Sequence, residues 1–240
     1  MRDRSTDVKA RASAPSKLLT DRFAVCDSVG TIHNGMIPNM HLPNGYSDVP
    51  DGKLASVVTC LQMLERPELR GDRSDSRWQL RRIVQPDTEW YREIFGRIGT
   101  DWLWYSRLVM PRDELEAILR SPDDEVYALT MGGRDEGLLE LDFREAGQCE
   151  LAFFGLTDAL QGQGAGRWLM NRAIERAWAR AIGRFWVHTC TLDHPDALAF
   201  YLRSGFRAYA RRVEVADDPR LTGLAPRTAA AHIPIIEPRR

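Results

Sequence analysis

The chain has 240 residues, of which 43% are hydrophobic, 28% charged and 9% aromatic, a balance that allows a globular fold with a sizeable core. Its 33 basic and 34 acidic side chains leave a formal net charge of -1, which argues against a general attraction to nucleic acid or anionic lipid. No apolar run approaches the ~18 residues of a membrane span, and residues 1–17 lack the apolar core of a secretion signal. A cytoplasmic protein with neither nucleic-acid nor membrane partners is therefore expected. The four cysteines, Cys26, Cys60, Cys149 and Cys190, have neither CxxC nor zinc-finger spacing. They read as free thiols, and no metal is expected.

Residues 1–50 are rich in Ser, Asp, Asn, Gly and Pro without a sustained hydrophobic period, and read as a disordered or irregular arm. Met36 and Met40 stand just before the first strand-like stretch, so a start at either is one reading of this region. Lys53–Met63 is β-branched and reads as a strand; as an exposed edge it would offer a surface for a homodimer. Trp78–Val84 alternates and reads as a second strand. Pro86, Asp87 and Thr88 open a helical region that carries aromatic residues as far as Tyr105, with Gly96 and Gly99 expected to interrupt it. Pro111 to Leu119 reads as another helix.

Three strands with turn residues between them follow: Val126–Met131, Leu138–Phe143 and Glu150–Leu156. A glycine-rich loop, Gln161 to Gly166, leads into an amphipathic helix from about Arg167 to Ala181, whose apolar positions recur at spacings of three and four. Phe185–Thr191 is a strand, Pro195 to Arg203 a short helix capped by Gly205, and Phe206–Val215 a final strand or strand pair. Residues 217–240 read as a wrapping tail. The domain expected is 51–216, of the α+β class with mixed α/β layers.

The chemistry points to the loop Gln161-Gly162-Gln163-Gly164-Ala165-Gly166-Arg167. It follows a strand and opens a helix, where the first N–H groups lack internal partners and the helix end is positive. Glycines let the backbone approach a ligand closely. A Walker A loop would need a Lys, which is missing. A dinucleotide fingerprint needs GxGxxG, whereas this loop has GxGxG after hairpin-like strands. A plain structural turn remains open for the loop alone.

Gln161, Gly164 and Gly166 fit the pattern Q/R-x-x-G-x-G/A. Downstream, Ala197-Leu198-Ala199-Phe200-Tyr201-Leu202-Arg203-Ser204-Gly205-Phe206 resembles A-x-x-F-Y-x-K/R-x-G-F. Together, in this order and spacing, the two motifs resemble the GNAT N-acetyltransferase family, over roughly residues 76–215, and the stretches DWLWYSRLVM, GLLELDF, ELAFFGL and VHTCTLDHP resemble a bacterial subset of it of unassigned substrate. The resemblance implies the GNAT acyl-CoA N-acyltransferase fold: a central, mostly antiparallel sheet with a splayed strand pair and helices on both faces. It also implies direct transfer from acetyl-CoA to an amine within a ternary complex, the acceptor being a small molecule or a protein. Main-chain groups at Phe154, Gly155 and Leu156 would pair with pantetheine. The N–H groups of Gln163, Gly164, Ala165, Gly166 and Arg167, in the loop that starts with Gln161 and Gly162, would hold the pyrophosphate. A strand N–H near Phe154 or Leu156 would meet the oxyanion.

Tyr201 would be the acid for the departing thiolate, or would pack beside the sulfur. The base candidates are Glu150, then Glu140 and Asp142, which share a strand face; a water relay could replace any of them. His188 could take a proton, or could be a core residue. Asp193 stands where many relatives carry Asn, and Cys190 has no motif that supports an acyl-enzyme. Trp102, Trp104 and Tyr105 would form either an acceptor wall or helix core. The alternatives are a longer acyl donor, decided by the width near Phe153 and Phe154, and a non-catalytic acyl-CoA-binding or sensing module.

Overall fold

The computed structural model describes residues 42–239 except 74 and 76. Met36, Met40, Cys26 and most of the expected arm lie outside the described residues. Among the described residues, seven strands form one sheet: β1 (Lys53–Met63), β2 (Trp78–Ile83), β3 (Asp124–Met131), β4 (Arg134–Asp142), β5 (Gln148–Leu156), β6 (Arg184–Cys190) and β7 (Arg207–Asp217). The spatial order is β2-β3-β4-β5-β6-β1-β7. All neighbours are antiparallel except β5 and β6, which run parallel and pair only from Gln148–Arg184 to Glu150–Trp186. Beyond that point the two strands diverge. The expected fold class and its splayed pair are present.

The expectation of β1 as an exposed edge is corrected. It pairs with β6 on one side, from Val58–Cys190 to Met63–Phe185, and with β7 on the other, from Lys53–Asp217 to Gln62–Arg207. It is therefore an interior strand, paired on both sides from Val58 to Gln62, and not a sheet edge open to a second copy. The outer position belongs to β7, whose arginines Arg207, Arg211 and Arg212 are exposed and discourage strand addition.

The helices are α1 (Thr88–Gly99), α2 (Ser106–Val109), α3 (Arg112–Leu119), α4 (Ala165–Ala177) and α5 (Ala197–Arg203). Asp87 caps α1 by accepting from the N–H groups of Glu89 at 2.9 Å and Trp90 at 3.1 Å, which satisfies two donors that a helix start leaves orphaned. Contrary to the sequence expectation, Gly96 does not interrupt α1; the helix runs to Gly99 and a 3-10 turn, Thr100–Trp102, follows. Alternation along β4 divides the core. Leu139 and Leu141 pack with α4 residues such as Leu169 and Ala173, whereas Leu138 packs with Tyr91, Phe95 and Leu115 from α1 and α3.

The chain's last segment packs on the same body. Arg220 and Asp218 form a buried ion pair at 2.7 Å, and Arg220 Nη1 donates to the carbonyl of Ile233 at 2.8 Å. Ala229 and Ala230, held in this way, pack on Leu103. Leu103 has φ 55°, an uncommon conformation for a residue with a side chain. The tail therefore braces the turn that presents Trp102, Trp104 and Tyr105.

Candidate active site

A cavity of about 680 Å³ opens where β5 and β6 part. Its inner wall begins at a β-bulge: Glu140 faces Phe153 while Leu141 faces Leu151, so Ala152 is an extra residue on β5. Bulges re-aim side chains and leave main-chain groups unpaired. Past Glu150, β5 has no strand on its β6 side, so Phe153, Phe154, Gly155 and Leu156 line the cavity. Gly155 is required here, because a Cβ would come within 2.3 Å of Ile98 on α1. Phe154 stacks on Phe200 at 5.6 Å and meets Tyr201 at 6.5 Å, so an aromatic wall crosses from β5 to α5.

The glycine loop forms the cavity's outer end through Gln161, Gly162, Gly164, Gly166 and Arg167. Gly164 is the N-cap of α4, with φ 88° and no side chain bonded to the helix start. The first intrahelical bond there runs from Trp168 N–H to the Gly164 carbonyl. The N–H groups of Ala165, Gly166 and Arg167 thus lack helical partners and point out of the positive helix end. Such a start fits a pyrophosphate. Two residues of the loop do not line the cavity: Gln163 donates through Nε2 to the Ala159 carbonyl at 2.6 Å, and Ala165 is fully buried.

Tyr201 lines the same cavity with only 8% of its surface exposed, and its hydroxyl has no hydrogen-bond partner among the described residues. Burial first, and then the Asp193 carboxylate, hold its phenol well above the usual range. Its proton is firmly held. Asp193 itself is a brace: Oδ2 accepts from Thr189 Oγ1 at 2.7 Å and from Cys190 N–H at 2.8 Å. Oδ1 accepts from Trp104 Nε1 at 3.0 Å, which ties the aromatic turn to the end of β6.

His188 sits on β6 just past the last β5–β6 pair and lines the cavity, its side chain 34% exposed. Glu150 stands behind it, off the cavity wall, with Oε1 3.5 Å from His188 Nδ1. Burial pulls the imidazole pKa down. The Glu150 hydrogen bond and the charges of Glu150, Asp193 and Glu214 outweigh it, so the net shift is upward. Glu214, on β7, accepts from the Tyr105 hydroxyl at 3.1 Å and lines the cavity. No sequence signal singled it out, because β7 reaches the site only through its pairing with β1.

Glu140 and Asp142 are not at the cavity. Glu140 is fully buried; it accepts from the Tyr91 hydroxyl and from the Arg107 guanidinium. A carboxylate so engaged has no path to an acceptor amine, which corrects the expectation that it serves as a base. Asp142 binds Arg144, with Nε 2.9 Å from Oδ2. Arg107 also lies over the Phe153 ring at 5.1 Å, so this buried ion pair props the cavity wall from behind.

Asp124 belongs to the same buried cluster, with neither carboxyl oxygen hydrogen-bonded among the described residues. Burial, and then Glu140, push its pKa up to about 9, so it is neutral in the fold at pH 7. The unfolded chain ionises it above its ordinary value of 3.8. Between these values the unfolded state binds fewer protons, and stability falls with rising pH by up to about 1.4 kcal/mol per unit. Asp124→Asn should therefore raise the melting temperature at pH 8, by a margin that shrinks towards pH 5 and is gone near pH 4. Melting curves across this range check it; an equal loss at every pH would contradict it.

A sequence model of the acetyltransferase (GNAT) family matches residues 79–206, more than half of the chain. The chain belongs to the GNAT acetyltransferase family. Its fold is similar to a functionally unknown conserved protein from Staphylococcus epidermidis, at 13% identity and TM-score 0.50, over 70% of this chain and 63% of that one. A GCN5-related N-acetyltransferase from Sphaerobacter thermophilus is similar at 14% identity and TM-score 0.50, over 68% of this chain and 52% of that one. The match thus spans less than two thirds of either relative. At these identities the likeness speaks for the fold alone. No curated protein sequence matches. Among the described residues no helix is long and apolar enough to cross a membrane. The family membership implies an acyltransferase; what it transfers and to what depends on the cavity.

Proposed function

We propose that the protein transfers an acetyl group directly from acetyl-CoA to a primary amine, both substrates being bound at once. The observation that carries this reading is a single cavity that joins the uncapped start of α4, the strand edge beyond the β5 bulge, and the His188–Glu150 pair. The α4 N–H groups would hold the pyrophosphate, the freed β5 main chain the pantetheine arm, and a β5 N–H near Phe154 or Leu156 the oxyanion. The Trp102, Tyr105 and Glu214 side of the cavity offers an aromatic and acidic surface suited to a cationic acceptor.

A neutral amine attacks the thioester carbonyl, and its nitrogen, once bonded to carbon, becomes far more acidic than a free ammonium. His188 then takes that proton, with Glu150 orienting the ring and supporting its charge. This assigns the base to the pair rather than to Glu150 alone. The carbon–sulfur bond breaks and sulfur leaves as a thiolate. The phenol of Tyr201 is a poor donor of its whole proton, because its pKa is raised while a thiol sits near ~8.5. Its role is to donate a hydrogen bond to the sulfur. Solvent supplies the proton that completes the free thiol.

The test is thiol release from acetyl-CoA across a panel of primary amines, with mass detection of the amide. Acetylation of one amine class supports the reading. Donor binding with no amide from any amine would favour the binding-module alternative. Tyr201→Phe is expected to lower kcat by about 10-fold or more, the worth of a hydrogen bond to a charged group, with acetyl-CoA affinity unchanged. Equal turnover would reduce Tyr201 to packing.

A further inference from the structure

The connection between β1 and β2 lies outside the stretch matched by the family, and it runs along the mouth of the cavity. Its early part passes the end of α5, where a Cβ at Gly205 would come 3.1 Å from Pro67. It then lies on α4. Asn171 Nδ2 donates to the Arg70 carbonyl at 2.7 Å and to Asp72 Oδ2 at 2.8 Å. Arg167 Nη1 donates to the Gly71 carbonyl at 3.2 Å, and Arg172 Nη2 reaches Asp72 at 3.4 Å. The segment thus bridges the groove between α4 and α5 and is pinned to α4 at three consecutive residues.

That placement brings three guanidinium groups to one rim. Arg70 comes from the connection, Arg167 from the first turn of α4 and Arg203 from the end of α5; all three line the cavity. Among the described residues none of the three is paired with a carboxylate. The cavity's carboxylates lie elsewhere: Asp193 follows β6, Glu214 is on β7, and Asp196 stands at the start of α5, the end of that helix away from Arg203. The N–H groups at the start of α4 already suffice for a pyrophosphate. Three further cations beside them exceed that need, and guanidinium groups match the oxygens of a terminal phosphate.

We propose that Arg70, together with Arg167 and Arg203, binds the 3′-phosphate of the CoA donor, so that a segment outside the family's core selects CoA over donors lacking that phosphate. This rests on the acyl-CoA reading of the cavity. The Arg70 side chain is not what pins the segment, since Asn171 holds its carbonyl, so truncation should leave the fold intact.

The experiment is titration calorimetry of the full chain and its Arg70→Ala variant with CoA and with dephospho-CoA, beside unliganded melting curves. The wild type should bind CoA at least about 10-fold more tightly than dephospho-CoA, and the variant should lose most of that preference. Dephospho-CoA affinity should stay within about twofold. Equal weakening of both ligands, or weakening of neither, would overturn the assignment of Arg70. If the wild type bound neither ligand, the acyl-CoA reading itself would fail, and this inference with it.

Discussion

Gly164→Glu should reduce acetyl-CoA affinity by about three orders of magnitude. The residue caps α4 at φ 88° with nothing within 4 Å of an added Cβ, so a side chain there would fill the space in front of the free N–H groups. Two unit charges 4 Å apart near a protein surface repel by about 4 kcal/mol, and each 1.4 kcal/mol is about tenfold in affinity. Backbone strain from any side chain at this φ is a separate cost. Gly164→Ala carries that strain without the charge, and is expected to lose far less. Calorimetric titration of both variants, with unliganded melting curves, separates the two effects. Equal affinity in the Glu variant and the wild type would remove the pyrophosphate from this loop.

The second large effect is expected at the His188–Glu150 pair. Loss of a positioned base typically costs 10²–10⁴-fold in rate, so His188→Gln should lower kcat/KM by about that much. The pH profile carries the sharper signature. The base works when neutral, so kcat/KM in the wild type should rise with pH, its limb set by an imidazole pKa above the ordinary 6.5. The shift is upward because carboxylates face the ring from β5, from the turn after β6 and from β7, namely Glu150, Asp193 and Glu214. Glu150→Gln removes the nearest negative charge, so the pKa should fall and the limb should move to lower pH. His188→Gln should lose the limb. A limb unmoved in the Glu150 variant would leave Glu150 a structural neighbour, and a limb retained without His188 would place the base elsewhere.

What the sequence revealed and what it hid divide along a physical line. The glycine loop and the Tyr201 junction were legible because each is a local demand on the backbone: a helix start at positive φ, and a helix end that turns into a strand. The splay of β5 from β6 came with the family resemblance. The place of β1 was not legible, since β-branched alternation shows that a segment is a strand but not which strands flank it. Alternation also put Glu140 and Asp142 on one face correctly. It could not show that α1 and α2 bring Tyr91 and Arg107 onto that face and seal Glu140 there. Glu214 was missed for the same reason as β1, because its strand is carried to the cavity by pairing with a segment more than 150 residues earlier. Arg70 was missed because a polar connection has no period, and its position depends on Asn171 and Arg167 of α4.

The central claim is that this cavity binds acetyl-CoA through the start of α4. Thermal unfolding with acetyl-CoA, NADH and ATP, each at ~100 times a micromolar dissociation constant, tests it most directly. Binding to the folded state at that ratio adds about 2.7 kcal/mol, which for a chain of this size is a rise of roughly 5–10 °C. The account predicts that rise with acetyl-CoA and none with NADH or ATP. A rise with NADH or ATP and none with acetyl-CoA would contradict it, and would return the glycine loop to nucleotide binding.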